Sequence, residues 1–247
     1  MNSLLLLMAG FFLPLFPLSI VFNALLSRLC HPVLRVMLIL VWPQIGVLLL
    51  AASGLPLSSD FFLGWGLLTA LFYAWRLLTV RDLGQWAAML ATSAWAMTWA
   101  AATANDSHSL HAFVLWLSVA PALLILIGVA LKKRFGAAYA GLVLGLARDL
   151  PRLSALIVIV VLAAMALPLF PAFFALLQLL MHTSIGVAIP VLLTWLLWSW
   201  SGTRLLNGLV FGPRSGAIAD DLDLRLTWAF TGLIAAIVLL NLIWTGA

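Results

Sequence analysis

PRLSALIVIVVLAAMALPLFPAFFALLQLLMH, residues Pro151 to His182, holds no charged residue between Leu153 and Met181. A straight helix needs about 20 apolar residues to cross a bilayer, and this run exceeds that. Near its middle stand Pro168 and Pro171. Each proline removes a backbone donor and crowds the carbonyl four residues back, here those of Ala164 and Leu167. A freed carbonyl in hydrocarbon is costly unless protein, a side chain or water satisfies it. The stretch therefore predicts a membrane helix broken at mid-depth, with the break turned towards protein or a small polar cavity. Broken membrane helices recur in ion and solute transporters.

The whole chain has the same character. It is 66% hydrophobic and 8% charged, with a mean hydropathy of +1.22. A soluble domain of 247 residues does not have this composition, so a single polytopic membrane domain over 1–247 is expected. The net charge of +5 is no nucleic-acid signature, because the cations are few and lie between apolar runs. All seven acids are Asp, and the single cysteine, Cys30, excludes an intrachain disulfide and a thiolate metal cluster. The first residues lack a basic region and an A-x-A-like site, so they are read as a span rather than a signal peptide.

An all-α integral membrane fold with about eight transmembrane helices follows. The spans fall near 4–27, 33–53, 60–79, 84–104, 109–131, 152–181, 184–201 and 226–245. The first, third, fifth and seventh connections carry the Lys and Arg residues, and the second, fourth and sixth carry none. By the positive-inside rule both termini lie outside, in a multi-pass protein of a membrane such as the bacterial inner membrane. Residues 132–152 and 202–225 are expected as inner-side loops with interfacial helices.

The pentapeptide LPLFP occurs twice, at Leu13 to Pro17 and Leu167 to Pro171. The first span would then be broken at Pro14 and Pro17, and it runs opposite to the sixth. Two broken helices of opposite direction are what an inverted repeat produces, although chance also repeats five residues in a chain rich in Leu, Phe and Pro. In the second span Pro43 predicts a kink, and Gln44 either lines a polar path or bonds a neighbouring helix. Gln178 lies beyond the second break. Trp86, Trp95 and Trp99 are assigned to packing or to the interfacial belt, beside the hydroxyls Thr92, Ser93 and Thr98.

Asp106, His108 and His111 lie close in sequence, but a metal site needs three or four ligands in fixed geometry, and no metal is expected. Asp220, Asp221 and Asp223 lack a calcium-loop pattern and read as a solvated loop or a subunit contact. Every Asp, Lys and Arg falls at a span end or in a loop, whereas a proton or cation path needs ionisable groups at depth. No catalytic motif appears, so no enzyme activity and no cofactor are expected.

The order of these motifs resembles the antiporter-like proton-channel subunits of respiratory complex I, multisubunit cation/proton antiporters and DAB-type inorganic carbon pumps. The resemblance rests on PLFPLS (Pro14 to Ser19), WPQIG (Trp42 to Gly46), the stretch from Gly64 to Met97, SLHAF (Ser109 to Phe113), GLARDLP (Gly145 to Pro151), ALPLFPAFF (Ala166 to Phe174) and FGP (Phe211 to Pro213). It implies that the family's lysines fall here at Gly84, Val41 and Leu115, and a further charged position near Leu176; only the histidine, His111, is kept. The resemblance thus implies an antiporter-like fold depleted of its proton relay. The expected role is an accessory, non-conducting subunit that scaffolds a proton-coupled transport complex, such as an inorganic carbon uptake or complex I-like assembly. Its partners would be other membrane subunits and lipid, not nucleic acid. The alternative is a stand-alone transporter of protons or a small solute, with a path at the Pro168–Pro171 break, Gln44, Gln178 and His111.

Overall fold

The computed structural model describes residues 2–54, 60–103, 107–142, 144–212 and 220–246, the side chains of 2, 3, 107, 108 and 244–246 excepted. These residues form twelve helices: α1 (Asn2–Phe12), α2 (Ser19–Arg28), α3 (Pro32–Ser53), α4 (Asp60–Leu77), α5 (Leu83–Ala96), α6 (Thr98–Ala101), α7 (Ser107–Phe135), α8 (Leu146–Asp149), α9 (Pro151–Ala164), α10 (Pro171–Met181), α11 (Ile185–Leu209) and α12 (Leu224–Gly246). Among the described residues the only β pairing is an isolated antiparallel bridge between Asp82 and Tyr139.

Pro32–Ser53, Ser109–Phe135, Ile185–Leu209 and Leu224–Ile243 are long and apolar enough, each as one helix, to cross a membrane. The apolar runs near 4–27 and 152–181 each fold as two half-helices, α1 with α2 and α9 with α10. Each pair is joined by six non-helical residues, 13–18 and 165–170. Pro43, Pro121 and Pro190 are instead held inside α3, α7 and α11.

The core is built round α5 and α7. Nearly every side chain from Leu83 to Ala101 is buried, and α7 packs against α3, α5, α9 and α10. Small residues make this possible. Ala87, Ala91, Ala94 and Ala100 on α5 and α6 are wholly enclosed, which lets neighbouring backbones approach closely. α12 is the opposite case: Ile234 and Asn241 are its buried residues among those described, and most of its Leu, Ile and Trp side chains face outwards.

Two expectations for the basic end need correction. Residues 202–209 are not loop: α11 runs without interruption to Leu209, because Leu205, Leu206 and Leu209 bury their side chains, and Gly202 and Gly208 are held within the helix. Nor do the described residues of 136–145 form an interfacial helix. Positive φ at Gly136, Gly141 and Gly145 turns the chain repeatedly, and the segment pairs with its neighbours instead. Leu83 N–H donates to Ala138 O at 2.9 Å, Ala140 N–H to Arg81 O at 2.8 Å and Gly141 N–H to Gly208 O at 2.6 Å. Among the described residues between α7 and α9, the four-residue α8 is the one helix.

Candidate functional site

The second break is closed by its own surroundings. Met165 ends α9, and its carbonyl accepts the indole N–H of Trp195 from α11 at 2.9 Å. Leu167 N–H donates to Leu162 O and Phe170 N–H to Leu167 O, each at 3.2 Å. Pro171 opens α10, a position where a missing N–H costs nothing. Ala166 and Leu169 take positive φ, 51° and 100°, to make the turn. The void beside Phe170 and Pro171 is about 10 Å³ and lined by apolar side chains such as Trp116, Ile159 and Val238. That is space for about one water at most, with no polar partners to hold it. Pro168 and Gln178 point away from the core, and Leu176 is buried.

The first break uses the same device twice. Leu13 O accepts the Trp99 indole N–H at 3.1 Å, and Phe16 O accepts that of Trp65 at 2.7 Å. Phe16 N–H donates to Thr69 Oγ1 at 3.1 Å. Pro14 is buried and Pro17 exposed. Gly46 of α3 lies so close that a Cβ there would sit 2.9 Å from Leu13 N. Trp95 and Trp99 therefore do not belong to an interfacial belt. Both are buried with their N–H groups engaged, Trp95 on Ser118 Oγ at 2.9 Å. Indoles suit this work because each carries one strong donor on a large apolar body.

Gln44 and His111, 67 residues apart, meet between α3 and α7. The Gln44 amide donates from Nε2 to His111 O at 3.2 Å, and its Oε1 lies 2.6 Å from His111 Nδ1. Because the amide nitrogen faces a carbonyl, the amide oxygen faces the ring, and Nδ1 must carry the hydrogen. Pro43 is buried beside this pair in sequence. Val41 and Leu115 are exposed apolar side chains on the outer faces of α3 and α7. Asp106 and the His108 side chain lie outside the described residues, and among those described no cluster of His, Cys or Asp could hold a metal ion.

The basic end contains a polar cavity of about 1010 Å³ between α2, α3, α4, α5 and α7. Arg35, Arg76, Lys132 and Lys133 line it with Asp82, Asn23, Tyr73 and Tyr139. Arg35 reaches across from α3 to Gly84, where a Cβ would sit 2.8 Å from its Nη2. A guanidinium from another helix thus lies over the glycine. Beyond the cavity a neutral polar seam enters the core. Asn23 Oδ1 accepts from Thr92 Oγ1 at 3.3 Å, and Ser19 Oγ shares a hydrogen with the Tyr73 hydroxyl at 2.8 Å. Sequence reasoning missed this, since the Arg35–Gly84 contact joins residues that no local pattern connects.

The acidic group at Asp220, Asp221 and Asp223 is not simply a solvated loop. Asp221 accepts from the backbone N–H groups of Arg152 and Leu153 at 2.9 and 3.1 Å, capping α9. Arg134 Nε donates to Asp220 O at 2.8 Å, and Arg152 Nη1 to Leu222 O at 3.1 Å. This clamp ties the start of α12 to the ends of α7 and α9.

No protein-family model matches the sequence, and no curated protein does. Solved structures do match. A chain of respiratory complex I from Thermus thermophilus superposes with a TM-score of 0.84 at 22% identity, over 98% of this chain and 54% of that one. A chain of the membrane-bound sulfane sulfur reductase, an archaeal respiratory membrane complex, gives 0.80 at 17% identity, over 96% and 52%. A chain of the Mrp complex from Dietzia sp. DQ12-45-1b gives 0.75 at 16% identity, over 87% and 42%. This chain spans about half the length of those chains, and it has the antiporter-like, all-α membrane fold found in those complexes.

Proposed function

We propose that the chain is a membrane subunit of a proton-translocating complex and that its own role is accessory: it scaffolds a conducting partner rather than conducting. One observation carries this reading. The side-chain hydrogen bonds between helices in the interior join neutral groups, as in Ser19 with Tyr73, Trp95 with Ser118 and Trp198 with Ser93. The described Asp, Lys and Arg residues lie at helix ends or in connections, except Arg204, which is exposed within the last two turns of α11. A relay needs ionisable groups in between. The outward apolar faces of α12 and α11 suit a partner helix or lipid. On this reading the basic end is cytoplasmic, both termini lie outside in a bacterial inner membrane, and the partner complex is of the inorganic carbon uptake or complex I-like kind.

The reading is tested by placing an Asp at Leu233, on the exposed face of α12. Loss of co-purifying membrane subunits is expected, with the chain itself still folded. Recovery of the chain alone from native membranes, or unchanged proton transport on its deletion, refutes the role.

A second reading, proton conduction by the chain itself, draws support from Arg35 over Gly84 and from the Gln44–His111 hydrogen bonds between α3 and α7. Purified chain in liposomes would then carry proton flux that His111→Phe abolishes. Flux equal to that of empty vesicles eliminates it.

A further inference from the structure

We propose that the cavity at the basic end binds the phosphate headgroup of an anionic phospholipid. The charge balance favours an anion: Arg35, Arg76, Lys132 and Lys133 face the space, against the single carboxylate of Asp82. That carboxylate is already engaged, because its Oδ1 accepts Gln85 N–H at 2.8 Å as the cap of α5. Arginine and lysine donors between helix ends at the polar face of a bilayer are the recurring chemistry of headgroup recognition.

Size and surroundings select a lipid over a free anion. The volume of about 1010 Å³ far exceeds what one phosphate fills and lies at the upper end of pockets for drug-sized ligands. It accommodates a phosphate with its glycerol unit. The walls are also partly apolar, with Ile20, Leu26, Met89 and Val129 among the lining residues. Beside the lining, Val21 and Leu25 of α2 and Val33 and Leu34 of α3 are exposed apolar surface along which acyl chains can lie. A zwitterionic lipid brings a second, positive group into a space already dominated by cations. The neutral donors Tyr73, Tyr139 and Asn23 complete the lining for the hydroxyls of a glycerol headgroup.

Cys30, the chain's single cysteine, lines this cavity and is exposed, so its alkylation reports occupancy without an added probe. The full chain in detergent is titrated with phosphatidylglycerol, phosphatidylcholine or inorganic phosphate, and the rate of maleimide labelling is read. Phosphatidylglycerol should slow labelling, while phosphatidylcholine and phosphate at the same concentration should not. Removing two cations in K132Q/K133Q should raise the half-protecting concentration about 30-fold, taking ~1 kcal/mol per cation at 1.4 kcal/mol per tenfold. Arg76→Gln alone should raise it about fivefold on the same scale, which serves if the double variant does not fold. Equal protection by phosphatidylcholine means burial of apolar chains only and overturns the proposal. Equal protection by inorganic phosphate assigns the site to a free anion and also overturns it, as does a lack of protection by phosphatidylglycerol or unchanged protection of folded charge variants.

Discussion

Gly46→Ala should destabilise the protein, although in an ordinary helix the same change stabilises. Gly46 lies inside α3, where alanine gains up to about 1 kcal/mol of helix propensity. The added Cβ would sit 2.7 Å from Leu13 Cγ, 2.9 Å from Leu13 N and 3.0 Å from Phe12 Cβ. The side chain of Leu13 can swing, but its backbone nitrogen cannot, because Leu13 N–H is held on Ala9 O at 2.7 Å and Leu13 O on the Trp99 indole. Overpacking against such a fixed neighbour costs about 1–3 kcal/mol, so the net loss with the propensity gain taken in full is up to about 2 kcal/mol. For a chain of this length that lowers the thermal midpoint by up to roughly 8 °C. Gly64→Ala is the control: it is also helical, yet nothing lies within 4 Å of its added Cβ, so its midpoint should rise or stay level. Both variants are compared by thermal unfolding in the same detergent. A Gly46→Ala midpoint equal to or above wild type would show that α3 does not press on the first break, and the account of that break would fail.

Trp195→Phe keeps an aromatic body but leaves Met165 O without its donor, and should cost about 1–3 kcal/mol in the same unfolding assay. Leu169→Gly should stabilise by about 1 kcal/mol, since φ of 100° strains any residue with a Cβ and this side chain is largely exposed; an unchanged midpoint argues against strain there. Asp221→Ala removes the cap of α9, at a cost near 1 kcal/mol, and should speed proteolysis between α11 and α12; cleavage at the wild-type rate would show that the clamp does not hold α12.

The breaks were legible in the sequence because proline acts locally: Pro14, Pro17, Pro168 and Pro171 cannot donate wherever they are placed. Pro43, Pro121 and Pro190 mark the limit of that rule, since the same residue stays inside a helix when neighbouring helices support it. What closes each break was not legible. Trp65, Trp99 and Trp195 reach carbonyls 49, 86 and 30 residues away, and no periodicity encodes such pairs. The same holds for Gln44 with His111, where sequence favoured a contact with a neighbouring helix over a polar path but could not name the partner. A contact with a helix is what the structure contains. Gly84 reads in sequence as a missing charge, whereas in space it lies under the Arg35 guanidinium, because charge at a point depends on every helix around it.

The cap on α9 has a consequence for synthesis on the ribosome. Asp221 lies 69 residues after Arg152, whose N–H it accepts. At about 5–20 residues per second, the cap emerges roughly 3–14 s after the helix it completes. During that interval the first amides of α9 must stay in contact with water or headgroups, which keeps this end of the helix at the membrane surface. The carboxylate then arrives with α12 directly behind it, so the last helix is delivered next to α9.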